Sequence, residues 1–133
     1  MTIAPLTVTP LYAGLLALIY VGLSIYVIRA RRAKLIGLGT GGDPEMLTRT
    51  RIHGNFAEFV PITLILLLAL ELSGAEPVML HVWGVLLVAG RLSHAYGLAL
   101  SSGATLWRVF GMVSVFFVLV SGGIRAILLA LGL

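Results

Sequence analysis

Arg51, Asn55 and Glu58 stand at i, i+4 and i+7 within an otherwise apolar run that continues through Phe59 and Val60 to Pro61. At about 100° per residue this spacing puts a cation, an amide and a carboxylate on one helix face. Charged side chains inside a membrane helix are costly, so they face a bundle interior or a wet cavity and usually serve a function. Such a face suits a ligand that is itself zwitterionic. It equally suits an internal Arg51–Glu58 ion pair with Asn55 satisfying a neighbouring helix. On position alone both readings stand.

The composition says what kind of protein must hold these residues. Of 133 residues, 59% are hydrophobic and 11% charged, and the mean hydropathy is +1.10. A soluble domain carries about a quarter charged residues, so this chain reads as one integral membrane domain. The net charge of +4 does not point to nucleic acid, because most of it is concentrated in one loop. There is no cysteine, hence no disulfide framework, no Cys-based metal site and no thiol nucleophile. His53, His81 and His94 are isolated and form no metal signature, so no metal is expected.

Four spans must position the polar face. Residues 1–28 carry no charge, and residues 10–28 form a first spanning helix that reaches about residue 30. Nothing basic precedes that apolar run, so a cleaved signal peptide is not expected. Arg29, Arg31, Arg32 and Lys34 follow as a stop-transfer cluster. Gly37, Gly39 and Gly42 spell GxGxxG, but no strand precedes them and Asp43-Pro44 follows, so the segment is a connector and not a dinucleotide site. Pro44 and Glu45 suit a helix start. The second helix covers about 45–72, with Pro61 as a potential kink. A third covers 78–100 and a fourth 106–131. Arg125 near the end of the fourth is read as snorkelling to headgroups, and His81 and Trp83 as interfacial anchors.

Charge asymmetry sets the expected topology. Arg29, Arg31, Arg32, Lys34, Arg49 and Arg51 crowd the first loop and its helix ends, whereas the tight turn at 71–77 has no Lys or Arg. The positive-inside rule puts the loop in the cytoplasm and both termini on the other side. The expected fold is all-α, an antiparallel four-helix membrane bundle. In that topology Arg31, Arg32, Arg51, His53, Asn55, Glu58, Arg91, His94, Tyr96 and Arg108 all fall in the cytoplasmic half or at its border. Scattered structural polar groups would have no reason to gather at one depth, and this clustering argues for a site.

These residues also carry a resemblance. Arg51-x-x-x-Asn55-x-x-Glu58 looks like the second-helix motif of the MAPEG family, membrane-associated proteins in eicosanoid and glutathione metabolism. Residues 27–33 and 42–45 resemble the end of the first helix and the start of the second in the family's leukotriene C4 synthase branch. Arg91-x-x-His94 is similar to the third-helix Arg-x-x-Tyr/His of the microsomal glutathione transferases. Arg108 opens the fourth helix where the family has a thiolate-stabilising Arg. The likeness extends over essentially the whole chain.

The resemblance implies a homotrimer in the membrane lipids, with glutathione as co-substrate bound between subunits near the cytoplasmic side. By matching position, Arg51, Asn55 and Glu58 would hold glutathione, with Arg31 or Arg32 approaching from the first helix and His94 from the third. Arg108 would be the catalytic residue. Phe59 replaces a ligand-contacting Tyr, and a second family aromatic falls on Leu98, with Tyr96 offset from it. For His53, ligand contact and backbone capping at the interface are both open. Arg91 is open between ligand contact and a structural bond to Glu58 or to a carbonyl.

The function implied is conjugation of the glutathione thiol to a lipophilic electrophile, with reduction of lipid hydroperoxides as a further activity. The alternative is a non-catalytic scaffold of the same family that binds lipid or glutathione. A small four-helix multidrug exporter fits less well, because the first helix lacks a carboxylate. A bacterial inner membrane is the expected location, and an endoplasmic reticulum protein could look the same.

Overall fold

A computed structural model describes residues 5–133. Four α-helices run in sequence: α1 Val8–Lys34, α2 Pro44–Leu72, α3 Pro77–Leu100 and α4 Leu106–Ala130. Each is long and apolar enough to cross a membrane, and successive helices are antiparallel. The N-terminus itself, expected on the non-cytoplasmic side, belongs to residues 1–4 and lies outside the described residues. One end of the bundle carries the 35–43 and 101–105 loops and the arginine-rich helix ends; it is the basic end. The other, closed by the 73–76 connection, is the turn end.

Helix boundaries follow from local chemistry. α1 continues to Lys34, about a turn beyond the expected residue 30. Arg and Lys are good helix formers, and cations at a helix C-terminus oppose its negative dipole end. The stop comes at Leu35 in the left-handed conformation, φ 55°. Arg31 Nη1 then donates to the carbonyls of Ile36 (3.3 Å) and Gly39 (2.9 Å), folding the loop over the helix end.

α2 starts where Asp43 accepts from the Met46 N–H at 2.7 Å, with Pro44 at the first helical position. Lys34 Nζ meets Asp43 at 2.7 Å and Glu45 at 3.0 Å, and Arg49 meets Glu45 at 2.6 Å. The helix passes through Pro61 and ends at Leu72; beyond it Gly74, φ 80°, lets the Ala75 N–H return to the Leu70 carbonyl at 2.9 Å.

At the turn end α1 has no cap from its own Thr7 side chain. The Glu71 carboxylate from α2 accepts the N–H groups of Thr7, Val8 and Thr9 at 2.7, 2.8 and 2.7 Å. It thereby satisfies three of the orphan donors that a helix start exposes.

The core lies along the seam of Leu16, Leu67, Leu70, Leu80, Leu87, Val115 and Val118, all nearly inaccessible. α3 and α4 approach closely at Gly90 and Gly111. A Cβ on Gly111 would stand 2.6 Å from the Gly90 carbonyl and 2.5 Å from His94 Cβ, so only glycine fits there. Trp83 is not an interfacial anchor: it is 2% exposed, and its indole N–H donates to Ser121 Oγ at 2.9 Å. His81 Nδ1 pairs with the Tyr12 hydroxyl at 2.9 Å, tying α3 to α1.

Candidate functional site

In the basic half of the bundle, α2 presents Arg51 and Glu58 outward. Their side chains are each 53% exposed, and Arg51 Nη1 lies 3.3 Å from Glu58 Oε1. The pair stretches along two helical turns over Gly54, the position where a Cβ would touch both groups. Hydrocarbon cannot satisfy two half-exposed charges within a spanning helix. This face therefore needs a polar surrounding, from water, headgroups or another polar group.

Asn55 lies between them and is half-buried. Its Oδ1 accepts from Arg91 Nη1 at 2.6 Å. A guanidinium only donates, so this bond fixes which way the amide points. The Nδ2 donors of Asn55 make no hydrogen bond among the described residues. The face thus combines a cation, an amide donor and a carboxylate.

Arg91 itself is 2% exposed. Its Nη2 donates to the Gly111 carbonyl at 2.6 Å, and its guanidinium lies 5.3 Å from the centroid of the Phe59 ring. Of the partners weighed from the sequence, Arg91 takes a carbonyl rather than Glu58. The acceptor is open because Gly111 brings α4 backbone close to α3. Arg91 stands behind Asn55. Its buried Nε has no partner among the described residues.

The remaining expected residues divide into groups. Phe59 packs edge-on against Phe116 at 5.9 Å, behind the exposed face. His94 is buried, its Cβ against Gly111. Tyr96 is exposed and edge-on to Trp107 at 5.4 Å. Arg108 is half-buried at the start of α4, where Thr105 caps the Arg108 N–H at 3.2 Å. Its Nη1 donates to the carbonyls of Ser102 (2.7 Å) and Gly103 (2.5 Å). Arg31 holds its loop, and Arg32 beside it is exposed.

His53 points to α1. Its Nε2 is 3.0 Å from Ser24 Oγ, and its ring lies 4.8 Å from that of Tyr20, which also stacks on Phe56 at 6.0 Å. Tyr20 and Ser24 were not among the expected site residues. Their signal was present: two hydroxyl side chains at i and i+4 in an uncharged apolar helix. Tyr20 and Phe56 open onto an apolar groove of about 460 Å³ between α1 and α2, floored by Ala13, Ala17, Ala57 and Pro61.

Comparison with known proteins bears on the family and not on the site. The MAPEG family model matches residues 9–128. The chain is similar to a protein described as "Inner membrane protein YecN" from Escherichia coli strain K12, 44% identical over 90 residues that cover 68% of this chain and 69% of that protein. The protein of the same description from Escherichia coli O6:H1 matches to the same extent. No solved structure matches the chain. Four spans and an inner-membrane relative agree with the expected integral inner-membrane location.

Proposed function

The chain belongs to the MAPEG family, and from that premise we propose that it is a glutathione-dependent membrane transferase acting on lipophilic electrophiles. The observation that carries the reading is the half-exposed Arg51–Glu58 pair with the oriented Asn55 amide between them. Glutathione has two carboxylates and one ammonium. Arg51 and the Asn55 amide suit a carboxylate, and Glu58 suits the ammonium. The pair faces outward from a single subunit, so a neighbouring copy in a trimer closes the site.

Bound glutathione would supply the thiol that this cysteine-free chain lacks. The protein's part is to hold, orient and polarise it. Arg108 has two loop carbonyls on Nη1, while Nε and Nη2 have no partner among the described residues and are free to meet a sulfur. A guanidinium there favours the anionic sulfur and cannot lose its own proton. The apolar α1–α2 groove beside Tyr20 and Phe56 would receive an acceptor from the lipid.

Calorimetry with glutathione on the detergent-purified protein, followed by a panel of aryl halide, epoxide and hydroperoxide acceptors, tests the reading. Saturable binding with turnover supports it, and the acceptor that turns over separates conjugation from peroxide reduction. Saturable binding without turnover on any acceptor selects the scaffold instead. Absence of glutathione binding overturns the transferase reading and leaves only a lipid-binding scaffold.

A further inference from the structure

A cavity larger than the α1–α2 groove is far from that face. It is a groove of about 620 Å³ between α3 and α4 at the turn end, open to the membrane. Val78, Met79, Phe117, Ile124 and Leu128 give it apolar walls. At its floor the Trp83 N–H is already taken by Ser121 Oγ at 2.9 Å, so no donor is left there. Two charged side chains line the same groove, Glu76 and Arg125.

Both charges are uncommitted. The ion pairs of the described residues, Lys34–Asp43, Lys34–Glu45, Arg49–Glu45 and Arg51–Glu58, all lie in the basic half. Glu76 holds the N-cap position of α3 yet makes no side-chain capping bond. The other acid at this end, Glu71, is occupied by the start of α1. Arg125 is the one Lys or Arg among the described residues of the turn half. An acid and a base therefore flank one apolar groove without bonding each other.

We propose that this groove binds a phospholipid with a zwitterionic, primary-amine headgroup, its phosphate on Arg125, its ammonium on Glu76 and an acyl chain along the apolar walls. The groove lies within a spanning bundle, so its occupant comes from the leaflet that meets the turn end. The charge pattern selects among lipids. An anionic glycerol headgroup offers Glu76 no cation. A quaternary choline offers a cation that cannot donate a hydrogen bond. A phosphoethanolamine satisfies both residues at once. The volume is within the range of ordinary ligand pockets. The glutathione reading is not required, because the two regions are at opposite ends.

The test is native mass spectrometry of the delipidated protein in detergent, titrated with phosphatidylethanolamine, phosphatidylcholine and phosphatidylglycerol of identical acyl chains. Phosphatidylethanolamine should bind about tenfold more tightly than either of the others, a difference of about 1.4 kcal/mol. E76Q should reduce it to the phosphatidylcholine level. R125Q should weaken all three, and R125K should restore most of the loss. I124W, which fills the groove without altering charge, should weaken all three as well. Helical circular dichroism and gel-filtration profile identify any variant that misfolds, and R125K and I124W then carry the test. Equal binding of the three headgroups, a preference for phosphatidylglycerol, or an unchanged preference in E76Q would each overturn the proposal.

Discussion

Arg91 on α3 donates to Asn55 on α2 at 2.6 Å while its other terminal nitrogen donates to the Gly111 carbonyl of α4 at 2.6 Å. One buried guanidinium therefore joins three helices and sets the orientation of a side chain on the candidate ligand face. Removing it takes a second donor from the Gly111 carbonyl, which keeps its helical partner in α4, and lets the Asn55 amide flip. Arg91→Ala should cost about 2–4 kcal/mol, as for a buried charge-assisted pair of bonds. Arg91→Lys keeps the charge but cannot span both acceptors, so it should recover only part of this. Thermal unfolding in detergent measures the cost. Equal melting temperatures for wild type and Arg91→Ala would mean that the bridge stabilises nothing.

Glu58→Gln removes the carboxylate proposed to meet the glutathione ammonium. Affinity should fall by about 1.5–3 kcal/mol, as for a lost charge-assisted bond. Arg51→Ala should do the same through a glutathione carboxylate. The double variant should lose less than the sum, because the two side chains lie 3.3 Å apart. Calorimetric titration reads both effects. If Glu58→Gln lowered the melting temperature but left affinity intact, the pair would be structural.

Much of this arrangement was legible in the sequence, for identifiable reasons. Hydrophobic runs of spanning length gave four helices, and Pro44 and Glu45 gave the start of α2, because helix-start chemistry is local. The longer α1 was not legible, since a basic cluster that stops transfer can still be helical. Spacing put Arg51 and Glu58 on one face, but it could not show Arg91 reaching a backbone carbonyl of α4. That bond depends on the Gly90–Gly111 approach, a tertiary contact. Trp83 was misread for the same reason: its partner, Ser121, is 38 residues away.

Asp43 connects the loop to pH. The Lys34 ammonium at 2.7 Å, with the Met46 N–H, holds its carboxyl below the ordinary carboxylate range. A depressed folded-state value means that the stabilisation is present at neutral pH, above the unfolded value of about 3.9, and is lost as pH falls through the lower folded value. Protease cleavage in the glycine-rich 37–42 segment should therefore be slow near neutrality and accelerate below about pH 4. Asp43→Asn keeps the helix cap but loses the ion pair, so it should flatten the pH profile. A profile as steep as wild type in Asp43→Asn would assign the effect to another group.

Sidedness can be read directly because the chain has no cysteine of its own. The charge asymmetry puts the 35–43 loop in the cytoplasm. A Thr40→Cys variant in intact cells should resist a membrane-impermeant maleimide and react only after permeabilisation. A cysteine at Ser73, in the opposite turn, should react from outside. Labelling of position 40 in intact cells would place the Arg51–Glu58 face away from cytoplasmic glutathione and remove the transferase reading.

Arg108 decides whether the proposed site is chemically active. A free thiol with a pKa near ~8.5 is mostly protonated at neutral pH, so the protein must favour the anion. Arg108 opens α4, where the helix N-terminus adds a favourable field for negative charge. Its bonds to the Ser102 and Gly103 carbonyls hold the guanidinium in place, and they also create a competing explanation, that it only pins the 101–105 loop. The two roles differ in their readouts. As a thiolate stabiliser, Arg108→Ala should lower kcat, raise the pKa of bound glutathione and leave affinity nearly intact. As a loop pin, its loss should raise the proteolytic sensitivity of residues 101–105 and leave the bound thiol's titration unmoved. The thiolate's ultraviolet absorbance, followed against pH in the complex, reports that titration. Arg108→Lys retains a cation but not the two-carbonyl fork, so it should preserve more of the pKa effect than of the loop protection. An unshifted titration with full turnover in Arg108→Ala would exclude Arg108 from the mechanism and pass the role to Arg31 or Arg32.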